Sequence, residues 1–360
     1  MKLIISNKQL QRALKKLGTI VPKRSILPAL EHILVEAAGN KALLKVTDTE
    51  ATIIYEIQMN ENVSKEDTAL IELHWLKGIC DLHEDEPILI DALKTKTTVT
   101  TSSGVYTQEV SVKMKDFPPL PEKPTGSQTE MMQGFVKWMH SAAVLCDGKD
   151  LVRVWRGCVY LELINNQMIV TTTDSNSLFT HTFEIESALN KSFMISQKVV
   201  NTLNGFNETT LFLNDDSYAF QSEEMTVITK IPEHKFPDYN KIIPNSDVTN
   251  IVVDREMMKA VLDKIKFINP DLVTITPSEN EVVFHAENEK GATATLTLSP
   301  SKPYSGEAMD IKVNPSKLHL LLSQTSYELI GLGFQAPAKA LVITNTTSLS
   351  YIGLIMPLMA

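Results

Sequence analysis

Two short runs of hydroxyl, carboxylate and amide side chains are the first groups in the sequence that could carry acid–base chemistry. They are Thr47-Asp48-Thr49-Glu50 and Thr173-Asp174-Ser175-Asn176, and their aspartates lie 126 positions apart. A positioned carboxylate can move a proton in catalysis, but aspartate also closes turns by accepting backbone N–H groups. Because the pattern occurs twice, we predict two structural turns. The alternative is a β-rich small-molecule enzyme that uses Asp48 or Asp174.

Patterns for cofactor, metal or nucleophilic chemistry are absent from the sequence. It has no GxxxxGK[ST] loop, no GxSxG motif, no HxxxH pair among its eight histidines and no CxxC pair among its three cysteines. The run Gly331-x-Gly333-x-x-Ala336 resembles part of a dinucleotide fingerprint, but no acidic residue follows Glu328, and such a site needs one about 20 residues further on. We therefore predict no cofactor, no metal site and no catalytic residue, and interpret these glycines as a turn between strands.

Basic side chains on the first predicted helix could attract an anion. Four of them recur at positions i, i+4, i+7 and i+8, namely Lys8, Arg12, Lys15 and Lys16. No acidic residue lies between Ser6 and Gly18. This spacing places the cations on one face of a helix, opposite its leucines.

Charge is segregated along the whole sequence. The chain has a formal net charge of −9, yet the six predicted helices together carry +6 and the remainder carries −15. Nucleic acid is held by phosphate contacts that need no base-reading motif. The net charge argues against a nucleic-acid partner. Its segregation between helices and the remainder, however, predicts that the helices face a polyanion and the sheets face away from it.

Six helix starts are predicted from capping residues that precede apolar residues at helical spacing. They lie at or near Ser6, Glu72, Glu130, Ser196, Asp254 and Asn314. Ser6 and Gln9 form a predicted capping box, and Gly205 is predicted to end the fourth helix. Alternate starts differ by 124, 124, 124 and 118 residues. The period predicts a three-domain repeat with two helices in each domain, and the alternative is chance spacing in an α+β protein.

Between the helices, β-branched or alternating runs predict short antiparallel strands. The runs are residues 43–46, 51–57, 161–172, 210–213, 272–275, 282–285, 293–298 and 341–344. Proline-rich segments around Phe117-Pro118 and Phe236-Pro237 lie 119 residues apart and indicate stiff linkers. We therefore predict an α+β fold with domains 1–125, 126–247 and 248–360.

Length and composition exclude several classes of protein. With 360 residues, 43% of them hydrophobic, the chain can bury real cores and is not expected to be disordered. It has no apolar run of about 18 residues for a membrane span, and its first residues are too short an apolar segment for a signal peptide. We expect a cytoplasmic protein with no membrane partner.

Several of these segments give the chain a resemblance to a known family. Over its whole length it resembles the bacterial DNA polymerase III β subunit, the β sliding clamp. The segments that carry the resemblance are 6–17, Arg24-Ser25-Ile26-Leu27-Pro28-Ala29-Leu30, Thr47-Asp48-Thr49-Glu50, Thr173-Asp174, Phe236-Pro237-Asp238-Tyr239 with Ile243-Pro244, and Tyr351-Ile352-Gly353-Leu354-Ile355-Met356-Pro357-Leu358. The joint at 236–244 and the tail at 351–358 are the most specific of them.

The resemblance implies a non-catalytic DNA polymerase processivity factor. Two chains, each of three DNA-clamp domains, would form a head-to-tail homodimer, a closed ring whose pore holds double-stranded DNA. The implied partners are the DNA polymerase III catalytic subunit, the clamp loader complex, and other proteins with clamp-binding motifs such as repair polymerases, mismatch repair proteins and ligase. The closer alternative is a divergent clamp paralogue that serves repair or a mobile element.

The charge pattern and the resemblance together predict the DNA-facing residues, and the resemblance alone implies the groove and the dimer interface. The DNA-facing pore would contain Lys8, Arg12, Lys15, Lys16, Lys23, Arg24, Lys137, Lys149, Lys198, Lys259 and Lys317. The partner-peptide groove would contain Thr173, Leu178, Pro237, Lys241, Ile242, Leu354, Ile355, Met356, Pro357 and Leu358. The dimer interface would contain Trp75, Ile79, Tyr106, Phe267 and Ile268.

The chain also departs from the family pattern near the predicted groove. Ser175-Asn176-Ser177 stands where family members commonly have Gly-His-Arg, and Met359-Ala360 stands where they have Arg-Leu. The segment at 151–157, which includes Trp155, matches only loosely. We expect the peptide preference to differ from that of well-known clamps.

Overall fold

The computed structural model describes residues 1–83, 85–150, 152–187, 189–244, 248–346 and 349–358, without the side chains of residues 64 and 65. The family departure at Met359-Ala360 lies outside the described residues. The chain divides into two compact units, one of residues 1–136 and 198–232 and the other of residues 137–197 and 233–360. In the described ranges no helix is long and apolar enough to cross a membrane.

Six α-helices occur among the described residues. They are α1 Asn7–Leu17, α2 Leu73–Leu82, α3 Phe135–Ala143, α4 Gln197–Thr202, α5 Arg255–Lys266 and α6 Pro315–Ser323. Two predicted caps are confirmed, because Asp254 accepts from Met257 N at 2.8 Å and Asn314 accepts from Lys317 N at 2.9 Å. Each cap satisfies one of the helix's unpaired N–H groups.

Strands make up most of the rest of the structure. The first eleven are β1 Lys2–Ser6, β2 His32–Thr47, β3 Ala51–Glu72, β4 Pro87–Ala92, β5 Lys96–Thr101, β6 Gly104–Glu109, β7 Ser127–Glu130, β8 Cys158–Ile164, β9 Gln167–Thr173, β10 Ser177–Glu184 and β11 Lys191–Ser196. The remainder are β12 Thr210–Leu213, β13 Ser217–Gln221, β14 Met225–Lys230, β15 Ile251–Asp254, β16 Val273–Pro277, β17 Val282–Glu287, β18 Thr293–Leu298, β19 Ile311–Val313, β20 Leu329–Gly333, β21 Leu341–Asn345 and β22 Tyr351–Ile355.

Each unit contains two antiparallel sheets. The first unit has a four-stranded sheet in the order β1-β4-β5-β6 and a six-stranded sheet in the order β2-β3-β14-β13-β12-β7. The second unit has an eight-stranded sheet in the order β11-β8-β9-β10-β22-β21-β20-β15 and a four-stranded sheet in the order β18-β17-β16-β19. Buried and less buried residues alternate along strands such as β4 and β16, as expected where one face of a sheet covers a core. The predicted α+β class is confirmed.

Strand pairing crosses both predicted domain boundaries. In the first unit β14 pairs with β3, and in the second unit β10 pairs with β22. The ends of the two compact units therefore do not coincide with the boundaries near residues 125 and 247. The division into three domains stays a prediction.

Two details predicted for helix starts are wrong. Ser6 makes no side-chain cap on α1, and its Oγ donates to Asp85 Oδ1 at 3.0 Å, the atom that also accepts from Lys8 N at 3.2 Å. A carboxylate from a distant segment therefore supplies the cap that the sequence assigned to Ser6 and Gln9. The start near Glu130 is displaced as well, because Glu130 ends β7 and α3 begins at Phe135.

The predicted strand at 161–172 is wrong, because this segment is a hairpin. Asn165 and Asn166 separate β8 from β9 and have φ values of 51° and 61°. Two consecutive left-handed residues match the twist of antiparallel strands, and asparagine tolerates that conformation. At the glycine run, Gly331 and Gly333 lie within strand β20, so the prediction that they form the turn itself is wrong; the next described element is strand β21, so the connection after them joins two strands.

Candidate functional site

Both carboxylate runs form the same turn, one in each unit. Between β2 and β3, Asp48 Oδ1 accepts from the N–H groups of residues 50 and 51 at 3.0 and 2.8 Å. Between β9 and β10, Asp174 Oδ1 accepts from the N–H groups of residues 176 and 177 at 3.0 and 2.7 Å. The prediction of two structural turns is confirmed. One oxygen of each carboxylate is held by backbone, which argues against a role for either aspartate as a catalytic base.

Helix α1 separates an apolar face from a cationic one. Its leucines are fully buried, whereas Lys8, Arg12 and Lys15 are exposed. Lys16 is half-buried and donates to the carbonyl oxygen of Asn204. Burial, with the neighbouring charge of Lys15 as the smaller cause, lowers the pKa of Lys16. The exposed face therefore presents three cations to solvent, and the fourth is engaged by the protein.

The predicted DNA-facing residues fall into two groups, those without an ion pair and those with one. The exposed cations for which the described residues provide no ion pair are Lys8, Arg12, Lys15, Lys23, Arg24, Lys137 and Lys149. The paired ones are Lys198 with Asp48, Lys317 with Asp174 at 2.5 Å, and Lys259 with Glu256 at 3.4 Å. The positive charge of the first group is available to a ligand, whereas that of the second group is partly neutralised by carboxylates of the protein.

An apolar cluster in the second unit joins side chains from four strands of the large sheet, β8, β10, β21 and β22, to the Phe-Pro joint. Its buried members are Leu178, Tyr239, Val342, Ile352 and Leu354, and the partly buried side chains packed on them are Tyr160, Phe236, Ile243, Val248 and Ala340. Strand register explains the centre of the cluster, because Leu178 lies opposite Thr173 on β9 and opposite Leu354 on β22. The cluster brings the predicted groove strands and the joint together.

Aromatic rings form one side of this cluster. Tyr160 stacks on Phe236 with ring centroids 4.6 Å apart, and Trp155 meets Phe236 edge-on at 6.2 Å. The hydroxyl of Tyr239 donates to Glu162. Burial raises the pKa of Glu162, and the hydrogen bond from Tyr239 acts in the opposite direction. These contacts hold the rings against one another, and together the rings form one wall of the cluster.

The buried members of the apolar cluster form the floor of the predicted groove. Exposed apolar side chains lie on the same segments as this floor. Ile242, Met356 and Leu358 are exposed, and Met356 N donates to Asn176 O at 2.8 Å. Of the remaining predicted groove residues, Thr173, Leu178, Leu354 and Ile355 are buried, Pro237 and Pro357 are half-buried, and Lys241 is exposed and paired with Asp238 at 3.0 Å. A buried apolar floor with exposed apolar side chains beside it can receive hydrophobic side chains of an extended peptide.

The residues predicted for the dimer interface lie at two places. In the first unit, Trp75 and Tyr106 are half-buried, and Ile79 is buried by its own unit. In the second unit, Phe267 follows the last residue of α5 and is 90% exposed, with Ile268 half-buried beside it. Phe267 is therefore accessible to a second chain, and the assignment of both places to a dimer interface stays a prediction.

Sequence analysis missed several members of the apolar cluster. Tyr160, Val342 and Ile352 were not assigned to the groove, and Phe236 and Tyr239 were identified only as part of a linker and of the family resemblance. A signal was present for Phe236 and Tyr239, because large aromatic side chains beside a proline in a polar linker are unfavourable in water and are expected to be buried against another element. Tyr160 gives no such signal, since it lies on an ordinary strand.

Comparisons with known proteins agree with this geometry. Residues 1–121 match the family model of the DNA polymerase III beta subunit, N-terminal domain. The beta sliding clamp of Chlamydia pneumoniae is 23% identical, and the alignment covers 99% of both chains. The structure of DNA polymerase III subunit beta from Pseudomonas aeruginosa has a TM-score of 0.89 at 18% identity, with 100% of both chains covered. A Helicobacter pylori beta clamp bound to a DNA ligase peptide gives the same values. The resemblance and the fold predicted from the sequence are confirmed.

Proposed function

On the premise that this chain shares the family and the fold of the bacterial beta sliding clamps, we propose that it is a DNA polymerase processivity factor. Two copies close head to tail into a ring around double-stranded DNA, without reading its sequence. The protein is non-catalytic, and it tethers the DNA polymerase III catalytic subunit and other partners after a clamp loader has placed it on DNA. Each chain supplies three domains, 1–125, 126–247 and 248–360, and the protein works in the cytoplasm.

The observation that carries this proposal is the exposed cationic face of α1 in a chain of net charge −9. The acidic remainder repels free nucleic acid, whereas a duplex inside the ring meets the helices. Such contacts go to phosphates and are independent of sequence. A ring holds DNA by its closed topology, so a few weak phosphate contacts are sufficient, and weak contacts permit sliding.

Topological retention can be tested with DNA of two shapes. Protein placed on nicked circular DNA by a bacterial clamp loader is expected to stay bound through gel filtration at moderate salt. After the circle is cut once, the protein should be released within minutes, because the ring slides off the ends. Blocking both ends of the linear DNA should restore retention. Equal loss from circular and linear DNA would contradict the ring.

Arg24 is the exposed pore cation at which charge reversal should be most informative. We expect Arg24→Glu to weaken association with a short duplex about tenfold at low salt, and to reduce the slope of log K against log salt by about 0.9. The effect should fade as salt rises, because the contact is electrostatic. Fluorescence anisotropy across a salt series measures both quantities.

The matched control for this variant is Lys94→Glu. Lys94 is also exposed and belongs to the first unit, between β4 and β5, outside the predicted DNA-facing set. The control makes the same change of net charge, so it should alter affinity by less than about twofold. If both variants lose affinity equally, Arg24 has no special place near DNA.

The apolar cluster of the second unit is the proposed partner groove. Its buried floor, its aromatic side and the exposed Ile242, Met356 and Leu358 suit the hydrophobic residues of a short peptide. The family resemblance implies that this peptide also carries a glutamine. The peptide-bound Helicobacter pylori clamp has the same fold, which supports this use of the surface. The proposed ligands are motifs of the polymerase, the loader, repair polymerases, mismatch repair proteins and ligase.

A further inference from the structure

The two aspartate turns share a second feature, which is an ion pair with a predicted DNA-facing lysine. In the first unit Asp48 Oδ2 pairs with Lys198 Nζ, at the start of α4. In the second unit Asp174 Oδ2 lies 2.5 Å from Lys317 Nζ, on the first turn of α6. The same pair therefore occurs twice, each time between a hairpin turn and the N-terminal end of a helix. A single pair could be incidental, but the occurrence of the same pair in both units indicates a recurrent structural feature.

The two oxygens of each aspartate have separate tasks. Oδ1 accepts the two backbone N–H groups that close the turn, and Oδ2 faces the lysine. The carboxylates are nearly covered, with side-chain exposures of 9% for Asp48 and 7% for Asp174, whereas both lysines remain partly exposed. A covered carboxylate needs a counter-charge, so the lysine is held at the turn. An asparagine would keep the Oδ1 contacts and remove only the charge.

The pairs change how the predicted pore charge should be counted. Helix α1 and residues 23–24 present exposed cations with no ion pair among the described residues. Lys198 and Lys317 each sit against a full negative charge. At a distance beyond a few ångströms a close ion pair is nearly neutral, so these two lysines contribute little long-range attraction to a polyanion.

We propose that Asp48 and Asp174 are counter-charges that keep Lys198 and Lys317 from binding phosphate tightly. The inference rests on the proposed function, in which the protein must hold a duplex without gripping it. Each phosphate contact that a cation makes releases counterions and adds affinity. Two additional strong contacts would raise the cost of every sliding step. The aspartates therefore set an upper limit on the protein's affinity for the DNA backbone.

Asparagine variants test this limit directly. Asp48→Asn and Asp174→Asn should each raise affinity for a short duplex at low salt by about threefold or more, and steepen the slope of log K against log salt by up to about 0.9. The double variant should show both increases together. The matched control is Glu279→Gln, which changes net charge equally at an exposed carboxylate in the turn between β16 and β17. Its effect should be less than half as large.

Lysine variants provide a second test that leaves the turns intact. Lys198→Gln and Lys317→Gln should reduce duplex affinity much less than Lys137→Gln, because Lys137 is exposed with no ion pair among the described residues. In the Asp48→Asn background, however, Lys198→Gln should remove all the affinity that the first substitution added. Thermal unfolding of every variant shows whether the fold is kept.

The outcomes separate this inference from the proposed function. If the wild-type protein is retained on circular DNA but the folded asparagine variants bind no tighter, the counter-charge proposal is overturned and the ring stands. An equal loss for Lys198→Gln and Lys137→Gln in the wild-type background would overturn it as well. If the wild-type protein is not retained on circular DNA, the proposed function itself fails.

Discussion

Phe267→Asp is expected to convert the proposed dimer into monomers. Phe267 is 90% exposed immediately after α5, although an aromatic ring of this size gains most when it is buried against another surface. Aromatic anchors of this kind commonly carry a large share of interface energy. Their replacement by a carboxylate also leaves a charge without a partner in the contact. We expect dimer affinity to fall at least about 30-fold, or about 2 kcal/mol.

Sedimentation velocity over a range of protein concentrations measures this change. Met257→Asp is the matched control, because Met257 is 55% exposed on the same helix and is outside the predicted interface. The control should remain dimeric at concentrations where Phe267→Asp is monomeric. Retention of Phe267→Asp on circular DNA should be lost in parallel, since an open ring cannot enclose a duplex. A fully dimeric Phe267→Asp variant would show that the interface lies elsewhere.

Local signals explain which helices could be predicted. The caps at Asp254 and Asn314 lie three residues before the N–H groups that they bind, so the sequence contains both partners. The capping box of α1 failed because Asp85, a residue about 80 positions away, accepts from the hydroxyl of Ser6 and from the N–H of Lys8. The start of α3 was misplaced because residues 127–130 belong to a strand whose partner, β12, is equally distant.

The strand prediction failed where a turn lies inside a segment of β-like composition. Residues 161–172 have the composition of one long strand, but Asn165 and Asn166 reverse the chain between β8 and β9. Two adjacent asparagines are a recognised signal for such a turn. In contrast, the repeated aspartate turns were predicted correctly, because each acceptor and its donors lie within three residues.

The candidate groove could be predicted only in part, since its residues meet through tertiary structure. The tail and the hairpin residue Leu178 were assigned through the family resemblance, and register places Leu178 opposite Leu354. The stacking of Tyr160 on Phe236 joins residues that no local pattern connects. The ion pairs of Lys198 and Lys317 were missed for the same reason, because charge counted along helices ignores the turn that each lysine contacts.

Met356→Asp is expected to abolish most binding of partner peptides while leaving the protein folded and dimeric. Met356 is 43% exposed just beyond β22, and the strand before it contributes Ile352 and Leu354 to the buried floor of the groove. A methionine side chain adapts its shape to apolar ligands, whereas a carboxylate beside an apolar peptide must be desolvated without a partner. We expect affinity to fall about 30-fold or more. Met356→Ala should cause a smaller loss, because it removes contact area without adding charge.

Isothermal titration with a short peptide that carries a glutamine and hydrophobic residues measures this loss. Val144→Asp is the control, because Val144 is 58% exposed in the second unit and is outside the proposed groove. The control should bind the peptide as the wild-type protein does, and both variants should sediment as dimers. Because the backbone N–H of Met356 donates to Asn176 O, the substitution leaves the attachment of the tail intact. Unchanged peptide affinity in Met356→Asp would therefore remove this surface from the partner site, even if the ring and its DNA retention are upheld.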